Sequence, residues 1–324
     1  MRNVALLLAG LAALILSGCA FVNVPLYTPA QPLREKVIEG EGRTKILLID
    51  ISGFISEAER SRGSMLTEEV PLLARVKEEL LKAEQEKAVA GMVIKINSPG
   101  GTVAASDILH HEVLAFKKRT GTRVTACIMG LGTSGAYYIT SAADEIIAVP
   151  TAVTGSIGVI AMRFDVRDLM TKIGVGTETV KSGDKKDLWS PFRPSTPEET
   201  KIMQHIIDRF YNRFIDAVAA GRKAVLSRAE ILKLADGRVY TADQALEAKL
   251  VDRIGYLDDA IGATKNALKV SQASVIVYHR PDAYRSTIYG GTPAPAPQAI
   301  SLIHINGDSL SLLPEVKFLY LWQP

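Results

Sequence analysis

Cysteine is nearly absent from this chain: Cys19 and Cys127 are the two in 324 residues. Two are too few for a disulfide framework, so the fold must hold by its core. Charge of one sign is lacking as well. Lys and Arg number 38 against 35 Asp and Glu, a net charge of +3 with no block of like charges. That leaves no electrostatic footprint for nucleic acid. Metal-ligand spacings such as HExxH or CxxC do not occur, so neither a metal nor another cofactor is expected. No internal repeat is visible. What remains is 47% hydrophobic and 23% charged, too apolar for a disordered chain and too charged for a multi-span membrane protein.

Much of the apolar excess sits at the start. Arg2 precedes an uncharged run from Val4 to Leu16, a basic n-region before an apolar stretch too short to span a bilayer comfortably. The run ends Leu16-Ser17-Gly18-Cys19, which resembles the bacterial lipobox. In that motif cleavage leaves the cysteine as a lipidated first residue, and two or more acyl chains give stable anchoring. Residues 1–18 are therefore expected to be a lipoprotein signal peptide, with Cys19 holding an exported protein at a bacterial membrane, on the periplasmic side in a Gram-negative cell. Residues 19–43, with Pro25, Pro29 and Pro32, are expected to be a tether. Cys127, in the apolar run Val124–Met129, is expected in the core, because a reactive thiol needs an electropositive, partly open setting.

From residue 44 to about 270, buried strands alternate with helical patterns. Lys45–Ile51, Ala88–Ile96, Arg123–Met129 and Glu145–Val149 are continuous enough to be covered on both faces. Apolar spacing predicts helices over Thr67–Lys87, through Ile108, Val113 and Phe116, and over Pro197–Gly221. This order implies an α/β fold with βαβ units, a mostly parallel sheet and flanking helices. Residues 271–324 are expected to form a strand (Ala273–Tyr278), a Gly/Pro-rich linker and an apolar tail. The tail could pack on the body, pair with another subunit or touch lipid.

Two glycine-rich turns follow buried strands. Asn97-Ser98-Pro99-Gly100-Gly101 lets backbone amides approach a ligand, and the helix after it favours anions. Neither GxxxxGK[ST] nor GxGxxG is present there. The second turn is Gly130-Leu-Gly-Thr-Ser134-Gly-Ala-Tyr-Tyr138. It puts Ser134 at a strand-to-helix turn, with the Gly135 amide close by, the placement an acyl-transfer nucleophile needs. A serine here serves equally as an N-cap, and local sequence favours the cap. No pattern around the five histidines singles out a base. A lysine can act as one when a dry site lowers its pKa. Lys181, Lys185 and Lys186 are the candidates in one charged segment, and spacing does not choose among them.

Together SPGG, TSGAYY with the following Ala142-Ala143-Asp144, TGSIGV from Thr154 to Val159, and KSGxxKD…SP resemble the bacterial signal peptide peptidase A family. The resemblance spans about residues 45–270. It implies a Clp-protease/crotonase-type fold and a serine endopeptidase with a Ser–Lys dyad. In that case Ser134 is the nucleophile, Lys186 the general base and Lys181 the runner-up. One amide of Gly100 or Gly101, with that of Gly135, forms the oxyanion hole. The resemblance further implies a homo-oligomeric ring with active sites between subunits, and cleaved signal peptides or other hydrophobic membrane-associated peptides as substrates. A crotonase-like acyl-CoA enzyme and a non-catalytic membrane-associated scaffold are the competing readings. The lipobox departs from the transmembrane anchor common in the family, and the tail beyond residue 280 falls outside the resemblance.

Overall fold

The structure, a computed structural model, describes residues 32–57, 70–280 and 318–322. The expected signal peptide with its lipobox and the Gly/Pro-rich linker lie outside the described residues. Two sheets organise the rest. The large sheet runs β1 (Arg34–Glu39), β11 (Ser274–His279), β2 (Lys45–Ser52), β3 (Val89–Ser98), β5 (Arg123–Thr133), β6 (Glu145–Ala148) and β10 (Arg253–Ile254). Off this path, β7 (Val153–Gly155) pairs with the end of β5 and with β9 (Val239–Thr241). The pairings are parallel except β1 with β11 and β7 with β9. The expected α/β class and mostly parallel sheet are what is found.

The central strands are apolar throughout because successive side chains point to opposite, equally covered faces. On one face Leu47, Ile49, Ile51, Met92, Ile94 and Ile96 pack with the helices α1 (Leu72–Glu84), α2 (Val103–Thr120) and α3 (Gly135–Thr140). On the other, Ile46, Leu48, Val93 and Cys127 pack against α8 (Leu257–Leu268) through Leu257, Ala260 and Ile261. Cys127 is fully buried and free, and burial pushes its thiol up to about 12, the core role expected of it. Between these helices in chain order lie α4 (Arg167–Lys172), α5 (Pro197–Gly221), α6 (Arg228–Leu234) and α7 (Ala242–Glu247). The bounds of α5 are those expected from sequence. Thr196 and Glu199 close a capping box at its start, with proline in the first turn, which satisfies orphan amides.

Two segments differ from expectation, and the sequence leaves a third open. Arg34–Glu39, inside the expected tether, is the edge strand β1. β5 continues through Gly130–Thr133, read from sequence as a turn, because β7 pairs with residues 131–133. Of the expected tail, the described residues 318–322 pack on the body, one of the three alternatives the sequence left open. Phe318–Leu321 is a strand, β12, lying antiparallel between β4 (Gly100–Thr102) and β8 (Ile160–Ala161) in a second, three-stranded sheet. Among the described residues no helix is long and apolar enough to cross a membrane.

Candidate active site

Parallel strands end together, and the ends of β3 and β5 deliver the two glycine-rich segments to one place. Their register pairs Ser98 with Gly132. Ser134 follows β5 directly and begins α3, with φ 55° and ψ −118°. A non-glycine residue in this region is strained by about 1–3 kcal/mol and needs its surroundings to hold it. Here the Ser134 amide donates to the Gly155 carbonyl at 2.7 Å and its carbonyl accepts from the Tyr138 amide at 2.9 Å. The side chain makes no capping hydrogen bond. The N-cap reading that local sequence favoured is therefore wrong. Serine caps from an extended backbone, and the left-handed turn aims this hydroxyl away from the helix amides.

The SPGG segment is not the loop its glycines suggested. Gly100–Thr102 is the short strand β4, after which Thr102 caps α2 by accepting from the Ala105 amide at 3.2 Å. Gly100 has φ +101°, and a Cβ there would strike the Tyr320 carbonyl and lie 2.8 Å from the Gly135 nitrogen. A Cβ on Gly101 would overlap the Ile55 backbone. Glycine is required because three backbone segments converge at contact distance. The Gly100 amide donates to Ser98 Oγ at 3.1 Å, whereas the Gly101 amide faces β12. A Cβ on Gly135 would sit 3.2 Å from the Gly101 nitrogen, so these two residues adjoin.

The cavity above is filled. Tyr320 stacks on Tyr138 at 5.2 Å between ring centroids and tilts against Phe214 at 4.8 Å. Its hydroxyl donates to the Phe210 carbonyl at 2.7 Å. Tyr138 in turn donates to Asp107 at 2.6 Å, and Arg213 clamps the same carboxylate. Burial lowers His110, edge-on to Tyr138, to about 4. Sequence reasoning did not single out Tyr320, Tyr138, Asp107 or Arg213. The signal available was the aromatic run Phe318-Leu-Tyr-Leu-Trp322.

The lysines are placed differently. Lys181, Lys185 and Lys186 are exposed. Lys181 Nζ contacts Asp187 at 2.8 Å and the Asp184 carbonyl at 3.2 Å. Asp187 also meets Arg193, and the two cations hold its carboxyl well below the usual range. Lys185 pairs with Glu198, and the ammonium of Lys186 has no such partner among the described residues. No hydrogen bond joins Ser134 Oγ to any of the three. One protomer brings together Ser134, Gly100, Gly101 and Gly135, and leaves Lys181 and Lys186 on an open surface.

This arrangement can be set beside known proteins. The model of peptidase family S49 matches residues 116–271, and a protein of Enterococcus faecium named as a signal peptide peptidase SppA is 35% identical over 257 residues. That match covers 79% of this chain and 73% of the relative. The chain belongs to peptidase family S49. It is thus a serine-type peptidase, as the motifs implied. Protease 4 of Salmonella typhi is 31% identical over 79% of this chain but only 40% of its own length. The chloroplastic serine protease SPPA of Arabidopsis thaliana is 30% identical over 77% of this chain and 37% of its own length. The Clp protease model matches residues 55–154 of this peptidase, in keeping with the expected Clp-protease-like fold. A ClpP1 mutant from Listeria monocytogenes superposes with a TM-score of 0.42 at 20% identity, over 66% of this chain and 94% of that one.

Proposed function

We propose that the protein is a serine endopeptidase in which Ser134 attacks the scissile carbonyl and Lys186 is the general base. The observation carrying this reading is the strained, uncapped Ser134 beside the Gly101 and Gly135 amides. Neutral Lys186 accepts the Ser134 proton as Oγ bonds to the carbonyl carbon. The two amides hold the oxyanion, and the resulting ammonium protonates the leaving amine as the C–N bond breaks. Water then repeats the cycle on the acyl-enzyme. Lys186 is preferred over Lys181 because the Lys181 ammonium already answers Asp187 and the Asp184 carbonyl. Deprotonating it would break both contacts.

A free lysine is less than about 0.1% neutral at pH 7, so a lysine base works from a dry site. One chain leaves Lys186 exposed. The segment before it also exposes Phe164, Leu169, Ile173, Val175 and Val180, the last at 95%. Exposed apolar residues gathered in one stretch suit a protein interface. We assign that interface to a neighbouring copy in a homo-oligomeric ring, which covers the segment and delivers Lys186 to a serine across the boundary. Cys19 is proposed as the lipid anchor of an exported enzyme acting on hydrophobic, membrane-associated peptides such as cleaved signal peptides.

The test is labelling with a serine-directed fluorophosphonate in wild type, Ser134→Ala, Lys186→Ala and Lys181→Ala. Label is expected in wild type and in Lys181→Ala and to be lost in the other two. Wild-type labelling in Ser134→Ala removes the nucleophile assignment. Loss in Lys181→Ala alone reverses the choice of base. Retention of the protein in membranes by Cys19→Ser, measured by fractionation, removes the anchor.

A further inference from the structure

Lys186 has no core to hold it. Residues 171–186 are all exposed. The backbone of the turn around Lys186 is closed by bonds between residues three apart. The Lys186 amide donates to the Gly183 carbonyl at 3.0 Å, that of Leu188 to Lys185 at 3.1 Å and that of Ser190 to Asp187 at 3.0 Å. Burial, which fixes Ser134, does not fix this residue. A reacting group nevertheless has to be placed closely, and a misplacement of about 1 Å can cost about 100-fold.

Both neighbours of Lys186 are fastened to the start of α5. Before it, Lys185 pairs with Glu198. After it, Arg193 reaches Asp187 three times. Its Nε donates to one carboxylate oxygen at 2.8 Å, and a terminal nitrogen donates to the other at 2.7 Å and to the Asp187 carbonyl at 3.0 Å. The same guanidinium contacts both oxygens of Glu199 and donates to the Pro194 carbonyl at 2.9 Å. Glu199 is 1% exposed, and it ties this grip to the body. One of its oxygens accepts the Thr196 amide at 2.9 Å in the capping box that opens α5. Further along, that helix enters the core through Phe214, Ile215 and Val218. A continuous path thus runs from the core, along one helix, through Glu199 and Arg193, to the residue next to Lys186.

Arginine suits this place for a physical reason. Its planar guanidinium presents five donors in a fixed fork, so one side chain joins two carboxylates in a set orientation, which a lysine ammonium does not. The fork also answers the buried Glu199 carboxylate, whose charge is costly without a cation. Arg193, with the Thr196 amide, holds Glu199 down to about 2, so the grip stays ionised through the neutral range.

We infer that Arg193 is a positioning residue for the base: braced by Glu199, it grips Asp187 and so sets where Lys186 stands, leaving the Lys186 side chain free to enter a site on a neighbouring copy. This rests on the reading of Lys186 as the general base. Lys181 adds a single contact to the Asp187 carboxylate, at 2.8 Å, and is the lesser part of the grip. A segment without a core of its own thereby carries a base whose place is set before assembly.

The test uses the assembled full chain and a fluorophosphonate probe, in wild type, Arg193→Lys, Asp187→Ala, the double variant and Lys186→Ala. Labelling of Ser134 is followed against probe concentration, with melting temperature and assembly mass measured alongside. Arg193→Lys keeps a cation beside Glu199 and loses the fork; Asp187→Ala loses the group the fork grips and leaves Glu199 untouched. Each single variant lowers the maximal labelling rate about 10- to 100-fold, with the half-saturating concentration within about twofold of wild type. The double variant is no slower than the slower single, because the two residues act as one unit. Melting temperature and assembly mass stay at their wild-type values. Wild-type maximal rates in both single variants, with Lys186→Ala inert, overturn the clamp and leave the base assignment standing. Losses that appear only together with a lower melting temperature or a lost assembly make Arg193 merely structural and overturn it as well. Full additivity in the double variant breaks the link between Arg193 and Asp187. Wild-type labelling in Lys186→Ala removes the base assignment itself, and the clamp with it.

Discussion

The floor of the site and the segment that carries its lysines are built on opposite terms. Around Ser134, Gly100 and Gly101, side chains are buried, and a Cβ added at either glycine would meet backbone. From residue 160 to 188 the chain is mostly exposed, with apolar side chains facing outward and lysines held by surface carboxylates or by nothing. The first region is finished within one protomer. The second leaves its apolar side chains uncovered. A nucleophile and its oxyanion amides gain from rigid preorganisation, whereas a lysine base can be left inactive in the free protomer and switched on by assembly.

Substitutions can break or sharpen that contrast. Ser134→Ala is expected to cost about 10⁴-fold or more in peptide hydrolysis, without lowering the melting temperature, since the side chain makes no capping bond. Lys186→Ala should cost about 100-fold or more and also leave the melting temperature of the isolated protomer unchanged. A fall of several degrees would mean that the lysine segment is structural and the contrast false. Gly101→Ala tests the other half. Its Cβ overlaps the Ile55 backbone, so it should lower unfolding free energy by about 1–3 kcal/mol or more, with activity lost in parallel.

Acid acts on the packed region through His110. Burial lowers it to about 4, with Asp107 opposing and Arg213, His111 and Lys117 adding to the effect. Protons thus bind the unfolded chain more readily between about 6.5 and 4. The stability that neutral His110 allows is intact above pH 6.5 and falls by up to about 3 kcal/mol as pH drops toward 4. Urea unfolding at pH 7 and 4.5 should show a smaller loss in His110→Phe than in wild type; an equal loss places the acid sensitivity elsewhere. The smallest effect is expected at Lys181→Ala, under about 1 kcal/mol in stability and within a few-fold in activity.

The two regions also differ in how far sequence announces them. Strands β2, β3, β5 and β6 were legible because parallel strands covered on both faces read as unbroken apolar runs. Helix α5 was legible to the residue because Thr196, Pro197 and Glu199 write its start chemically. The place of Ser134, at the end of a strand before a small-residue helix, was visible as well. Its free hydroxyl was not, because capping and nucleophilic serines share a sequence and differ in φ. Strand β4 was hidden for another reason: two of its three residues are glycines, which are depleted in strands, and its partner β12 lies more than two hundred residues away. Lys186 and Lys181 stayed unresolved in spacing because they lie in an exposed segment with no regular apolar period.

The central claim, that Ser134 and Lys186 belong to one site completed between copies of the chain, is tested by mixing. Ser134→Ala and Lys186→Ala, each inactive alone, are dissociated, combined and reassembled, and peptide hydrolysis is measured against their ratio. The account predicts that activity returns in the mixture, peaks near equal amounts and is absent from either variant reassembled by itself. Mixed assemblies shown by mass to contain both variants, yet without activity at any ratio, would contradict it.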